Sequence, residues 1–230
     1  MDRAGRGGGS GAPGPGIAEG RPPMHVLPVP RARRSDPTNL WRSGLYLKET
    51  PGTADDQDRA LVRRCLEDQR DAAGALVDRY QQRLFNVALR MLRNVQDAED
   101  VTQTVFLKAF RGLRSYDPKY RFFSWIYRLT VNESLNALKR RKPTVALEDE
   151  PDMLAPGAAP DRAAEAEDRV GRALMGLKPD DRAVVVLKHF VSFSYEEIAD
   201  VLEIPVRTVK SRLFTARERL RVALGEGVRQ

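Results

Sequence analysis

Five polar side chains near the C-terminus, Arg207, Thr208, Lys210, Ser211 and Arg212, are crowded together with no acid among them. Guanidinium and ammonium groups meet phosphate oxygens, and short hydroxyls beside them hydrogen-bond phosphates or base edges. A second grouping lies upstream. Phe122, Phe123, Trp125 and Tyr127 come first, then Asn132, Ser134 and Asn136, then Lys139, Arg140, Arg141 and Lys142. Rings that carry unstacked bases, amides that bond base edges and cations that meet the backbone together suit single-stranded nucleic acid. A plainer reading stands beside it: the aromatics are core, and the basic end is a helix C-terminus, where the dipole favours cations. Both readings stay open for Phe123 and Trp125. Catalysis has less support. There is no phosphate-binding glycine loop, no catalytic dyad and no cluster of carboxylates, histidines or cysteines suited to a metal or a nucleophile. His25 and His189 are far apart and lack cysteine partners, so no zinc site, no cofactor and no enzymatic activity are expected.

The first grouping needs a rigid platform, and residues 194–220 supply one. Ser194 with Glu197 three residues on makes a capping box, which starts a helix whose apolar face is Ile198, Ala199 and Leu202. Pro205, with no N–H to give, is expected to end it. A second helix restarts at about Val206 with Val206, Val209, Leu213, Ala216 and Leu220 inward at helical spacing. Its other face carries the five polar residues with Arg217 and Arg221. That is a helix-turn-helix whose second helix fits the major groove of duplex DNA. A basic helix face is often merely solvated. Here the acids Glu196, Glu197, Asp200 and Glu203 lie on the first helix, while the second has Glu218 as its acid, and this favours DNA.

The 230 residues have room for one large domain or two small ones. A net charge of +7 points to a polyanionic partner. The single cysteine, Cys65, excludes an internal disulfide framework and, between Leu61, Val62 and Leu66, is expected to be a buried small hydrophobe. No apolar run approaches membrane-spanning length and no signal-peptide core is seen, so a cytoplasmic, reducing location without a membrane partner is expected.

Residues 1–54 are expected to be a disordered arm, because Gly- and Pro-rich sequence offers too little apolar surface to offset the entropy of ordering. Within it, Leu40-Trp41 and Leu45-Tyr46-Leu47 either dock on a partner or fold back on the first domain. Residues 55–142 predict a small all-α unit, with Leu76, Val77, Tyr80, Leu84, Val87, Ala88, Met91 and Leu92 at helical spacing. Asn94 is placed as an N-cap before Asp97, Glu99 and Asp100, and the helix it starts is expected to break at Tyr116-Asp117-Pro118. A last helix is expected from about Phe122 to Arg141. Residues 143–167, rich in Pro, Ala and acid, form a flexible linker, either a solvated spacer or a segment lying in a cationic channel of a partner. Residues 168–225 hold the helix-turn-helix with a supporting core of Leu174, Leu177, Val184, Val185, Leu187, Phe190 and Val191, and Pro179-Asp180 marks a helix start. The fold class expected is therefore all-α, with two small helical domains, an acidic linker and an N-terminal arm.

Two separate segments agree with one family. DAEDVTQTVFLKAF followed by YDPKYRFFSWIYRLTVNESLNALKRRK resembles domain 2 of bacterial RNA polymerase sigma factors of the sigma-70 family. LKPDDRAVVVLKHFVSFSYEEIADVLEIPVRTVKSRLFTARERL resembles their domain 4. The order, and a linker without a domain 3, resemble the small extracytoplasmic-function (ECF) group. The resemblance implies a subunit that directs core polymerase to promoters and opens the −10 region. It implies that Asp100, Gln103, Thr104 and Phe106 bind the clamp of the β′ subunit, and that the chain also meets the β subunit. It places Tyr116, Lys119, Tyr120, Arg121, Phe122 and Trp125 around a flipped base of the −10 element, with Asn132 and Asn136 on the opened strand and Lys139, Arg140 and Arg141 on the backbone. It assigns Arg207, Thr208, Lys210, Ser211 and Arg212 to the −35 element. Promoter DNA, core polymerase and an anti-sigma factor are the implied partners. YRFF departs from the smaller polar loop common in the group, so Tyr120 and Arg121 bear on which −10 base is accepted.

The two DNA elements would lie about 60 Å apart, from about 17 base pairs at ~3.4 Å each. The linker reaches about 75 Å when stretched, whereas a free coil of its length spans only about 26 Å. The chain alone is therefore expected to hold its two domains poorly placed and to bind promoters weakly. The competing hypothesis is a stand-alone helix-turn-helix regulator, which would have no need of the aromatic, Asn-bearing and basic helix.

Overall fold

The computed structural model describes residues 51–141 and 162–225. The segment before residue 51, with His25 and the Trp41 patch, and residues 142–161, most of the acidic linker, lie outside the described residues. These form helices α1 (Pro51–Leu66), α2 (Arg70–Leu92), α3 (Val95–Gly112), a 3-10 turn (Leu113–Ser115), α4 (Phe122–Arg140), α5 (Arg162–Met175), α6 (Pro179–His189), α7 (Tyr195–Leu202) and α8 (Val206–Gly225), with no strand among them.

Local chemistry sets many of the ends. Asn94 accepts from the Asp97 N–H at 2.9 Å and starts α3. Ser194 and Glu197 exchange both bonds of the capping box that starts α7. Pro179 opens α6, with Asp180 and Asp181 in its first turn. Other ends differ from the sequence expectation. Helix α1 begins at Pro51, inside the stretch assigned to the arm, and α5 begins at Arg162, inside the stretch assigned to the linker. Helix α3 stops at Gly112 and tightens into the 3-10 turn before Pro118 is reached. Helix α7 ends because Glu203 turns left-handed (φ 53°) and its N–H caps the Ala199 carbonyl, two residues ahead of Pro205. Pro205 instead opens α8: its carbonyl accepts from Thr208 and Val209.

Helices α1–α4 form one bundle. Leu76, Leu84, Val87, Met91 and Leu92 of α2 meet Val105 and Phe106 of α3 and Phe122 and Ile126 of α4, all essentially inaccessible to water. The Tyr80 hydroxyl on α2 donates to the buried Asp58 carboxylate of α1, and Lys108 of α3 pairs with Glu133 of α4 at 2.5 Å. Cys65 is only half-buried, because it sits in the last turn of α1 beside Arg64 and Asp71; partial burial pushes its thiol up.

Helices α5–α8 form a second bundle around α6. Val184, Val185, Val186 and Leu187 are all buried, so the middle of α6 is enclosed on nearly every side, while its charged residues lie at its two ends. It is covered by α8, α7 and α2. The contact with α2 joins the two bundles, and α4 also lies against α7. The expectation of two poorly placed domains therefore does not describe this arrangement: they share one continuous apolar core.

His189 ends α6 beside Arg217 of α8 and Lys188 on its own helix. Desolvation, then Arg217 and Lys188, lower its pKa from 6.5. A base depressed in the folded state binds protons better when unfolded, so this contribution is present above about pH 6.5 and is lost as pH falls below it. His189→Asn should flatten the fall in thermal midpoint between pH 7 and 5.5. A wild-type profile parallel to the variant's would show that folding does not depress the His189 pKa.

Candidate nucleic-acid interface

Val209, Leu213 and Ala216 seat α8 on its own bundle. That anchoring leaves Arg207, Lys210, Ser211, Arg217 and Arg221 exposed on the opposite side. Thr208 and Arg212 sit at the edge, half-buried, and Arg212 lies 3.5 Å from Asp180 of α6. Lys210 Nζ stands 5.7 Å from the Tyr195 ring. Of the five polar residues singled out in the sequence, Arg207, Lys210 and Ser211 thus share the open side of one helix, and Thr208 and Arg212 flank it. Sequence reasoning missed Phe214, which is 69% exposed in the middle of that face. Its signal was its position: three after Ser211 and four after Lys210, it falls off the inward stripe. An apolar ring among cations suits contact with a thymine methyl.

The aromatic group of α4 divides in two. Phe122 is 1% exposed and packs edge-on against Tyr80 and Tyr116, at 5.6 and 5.8 Å. Tyr116 is buried as well; desolvation pushes its phenol up to about 12, and its hydroxyl donates to the Tyr120 carbonyl. Neither ring offers a face to a base here, which corrects their placement around a flipped base. The physical reason is that both fill the space where α2, the turn and α4 converge. Trp125 is half-buried on the same cluster, 5.3 Å from Tyr116 and 5.7 Å from Phe122. Tyr120, 64% exposed, is the ring that stands clear, with Lys119 and Arg121 beside it. The loop that carries it is held by Asp117, whose side-chain carboxylate accepts from Lys119 N–H at 3.0 Å and whose main-chain carbonyl accepts from Tyr120 N–H at 3.1 Å.

Further along α4, Asn132, Asn136, Lys139 and Arg140 are exposed. Ser134 is not available; it is buried and its hydroxyl donates to the Thr130 carbonyl. Arg141 is tied to the Asp97 carboxylate and to the Leu92 carbonyl, so it serves the bundle first. Arg128, which sequence reasoning also missed, stands seven residues after Arg121 and four before Asn132, on the same stripe. On α3, Asp100 and Gln103 are exposed and Thr104 is half-buried. Phe106 is 1% exposed and stacks on Phe110, so it shapes that surface from beneath and does not itself present a side chain to a partner.

Residues 76–144 match the family model for Sigma-70 region 2, and residues 167–220 match that for Sigma-70, region 4. The chain is 36% identical over 182 residues to the RNA polymerase sigma-H factor of Pseudomonas aeruginosa, covering 74% of this chain and 94% of that one. It belongs to the sigma-70 family, in the ECF group. This sigma factor is also 31% identical over 176 residues to the ECF RNA polymerase sigma factor SigW of Bacillus subtilis, covering 71% of this chain and 94% of the relative. Among solved structures it is similar to CnrH, determined in complex with the cytosolic domain of CnrY, at 28% identity and a TM-score of 0.60 over 74% of this chain and 98% of that one. The sigma factor RpoE of Bartonella quintana shares the fold, with a TM-score of 0.55 at 23% identity over 66% of this chain and 96% of that one. Sigma factors of this family are DNA-binding regulators of transcription initiation that direct RNA polymerase to promoters. No described helix of this one is long and apolar enough to cross a membrane.

Proposed function

We propose that the sigma factor divides promoter recognition between its two bundles. Helix α8 reads the upstream −35 duplex through Arg207, Thr208, Lys210, Ser211, Arg212 and Phe214. The loop and outer stripe of α4, with Lys119, Tyr120, Arg121, Asn132, Asn136, Lys139 and Arg140, take the opened −10 strand. The observation that carries this reading is that one chain exposes both a cationic recognition helix and, on a separate bundle, a stripe of amides and cations beside an exposed ring. Asp100, Gln103 and Thr104 on α3 dock the β′ clamp of core polymerase in the cytoplasm. An anti-sigma factor keeps the chain idle, in keeping with the determination of the similar CnrH bound to a second protein. Opening needs no nucleotide hydrolysis, because sites with affinity for unpaired bases shift the duplex equilibrium.

Run-off transcription with core polymerase tests the assignment. Arg207→Ala should weaken closed-complex formation by about 1–3 kcal/mol as a base reader. Asn132→Ala should leave that step unchanged and slow the formation of open complexes. Equal effects of both variants on both steps would overturn the division of labour.

A further inference from the structure

Helix α7, the first helix of the helix-turn-helix, lies across the N-terminal half of α4. Arg121 pairs with Glu197 at 3.3 Å. Arg128 pairs with Glu203 at 2.6 Å and donates to the Asp200 carbonyl at 2.5 Å. Phe193 packs between Phe123 and Tyr127, at 5.3 and 5.0 Å. The turn that delivers it is specific: Ser192 is left-handed (φ 64°), Phe193 N–H donates to Leu187 O at 3.1 Å, and Lys188 Nζ donates to Phe193 O at 2.9 Å. Arg121 and Arg128 belong to the stripe that continues into Asn132. The groups facing them are carboxylates, the same chemistry as phosphate oxygens, and they come from the other DNA-reading bundle.

We propose that this compact form is a self-inhibited state in which Glu197 and Glu203 occupy Arg121 and Arg128 in place of the phosphates of single-stranded DNA. The inference rests on the function proposed above. Bundles in direct contact cannot also reach two DNA elements about 60 Å apart, so engagement requires that α7 leave α4. The device is reversible by construction. Arg121 is 47% exposed and Glu203 is 67% exposed, and ion pairs that open to solvent are weak and screened by salt. Polymerase and DNA can therefore displace them, while in the free chain the pairs and the Phe193 contact act together at high effective concentration.

The test compares the full-length wild type with Glu197→Gln combined with Glu203→Gln. Glutamine keeps the side-chain length and still closes a capping box. A control, Glu67→Gln with Asp78→Asn, removes the same charge from two exposed positions away from this contact. Small-angle scattering reads the radius of gyration, and fluorescence anisotropy reads the affinity for a single-stranded oligonucleotide. The junction variant should be more extended than both other proteins and should bind the oligonucleotide roughly three- to ten-fold more tightly than the control, the scale of two solvent-open pairs. An unchanged radius overturns the inference, and so does an affinity gain no larger than the control's. Transcription by the wild type with core polymerase is read separately. Its absence would overturn the sigma-factor assignment of the surfaces while leaving the scattering result to decide whether the junction holds the chain closed.

Discussion

Arg182→Met is expected to lower the stability of the chain by about 3–5 kcal/mol, a fall in thermal midpoint of roughly 10 °C. Arg182 is 4% exposed, yet every one of its recorded bonds goes to a main-chain carbonyl. Nε donates to Leu174 O at 2.9 Å, and the terminal nitrogens donate to Met175 O, Leu177 O and Met91 O. Those carbonyls end α5 and α2, where the last turns have no helical partners of their own and the dipole is negative. One side chain thus caps two helices from different bundles. Desolvation, with Arg141 nearby, lowers its pKa to about 10, which still leaves it charged at neutral pH. Methionine fills most of the volume but removes the guanidinium donor from all four carbonyls, of which Leu174 O keeps the Leu177 N–H at 3.1 Å. Lysine, which lacks the fork, should recover only part of the loss. Chemical denaturation of the three proteins checks this; a methionine variant within about 1 kcal/mol of wild type would show that water satisfies those carbonyls equally well.

Phe122→Ala and Tyr120→Ala should part company, although both residues lie in the stretch that resembles the −10 pocket. Phe122 is enclosed by Tyr80, Tyr116 and Trp125, and its truncation is expected to cost about 3–5 kcal/mol through lost burial and a residual cavity. Tyr120 projects into solvent, so Tyr120→Ala should leave stability within about 0.5 kcal/mol. Open-complex formation on a promoter should nonetheless be slowed by Tyr120→Ala in a protein that unfolds as wild type does. If Phe122→Ala melts normally and loses only opening, then that ring leaves the core to meet DNA. If Tyr120→Ala opens promoters at the wild-type rate, the exposed ring has no part in base capture.

Much of this molecule was legible in its sequence because helices are local objects. The Asn94 cap, the Ser194–Glu197 box and the stripe Val209, Leu213, Ala216 each involve residues three or four apart, the Pro179 start involves adjacent ones, and each is present as expected. So is the cationic side of α8, since a stripe that faces inward determines what faces out. Some ends were misjudged because proline is a louder signal than backbone conformation. Glu203 in the left-handed region stops α7 before Pro205 acts, and no residue type announces that.

Other features depended on partners distant in the chain. Whether an aromatic at the start of α4 is core or surface depends on what α2 and the turn bring against it, so Phe122 is enclosed and Tyr120 is free two residues away. The meeting of the bundles joins Arg182 to Met91 and Arg121 to Glu197, across separations that no helical period spans. Residue types and spacing determined the helices, their caps and their charged faces, since these depend on neighbours within a turn. Only the packed structure decided which of those faces stay open to DNA and which are covered by the chain itself, because burial is a property of the whole core.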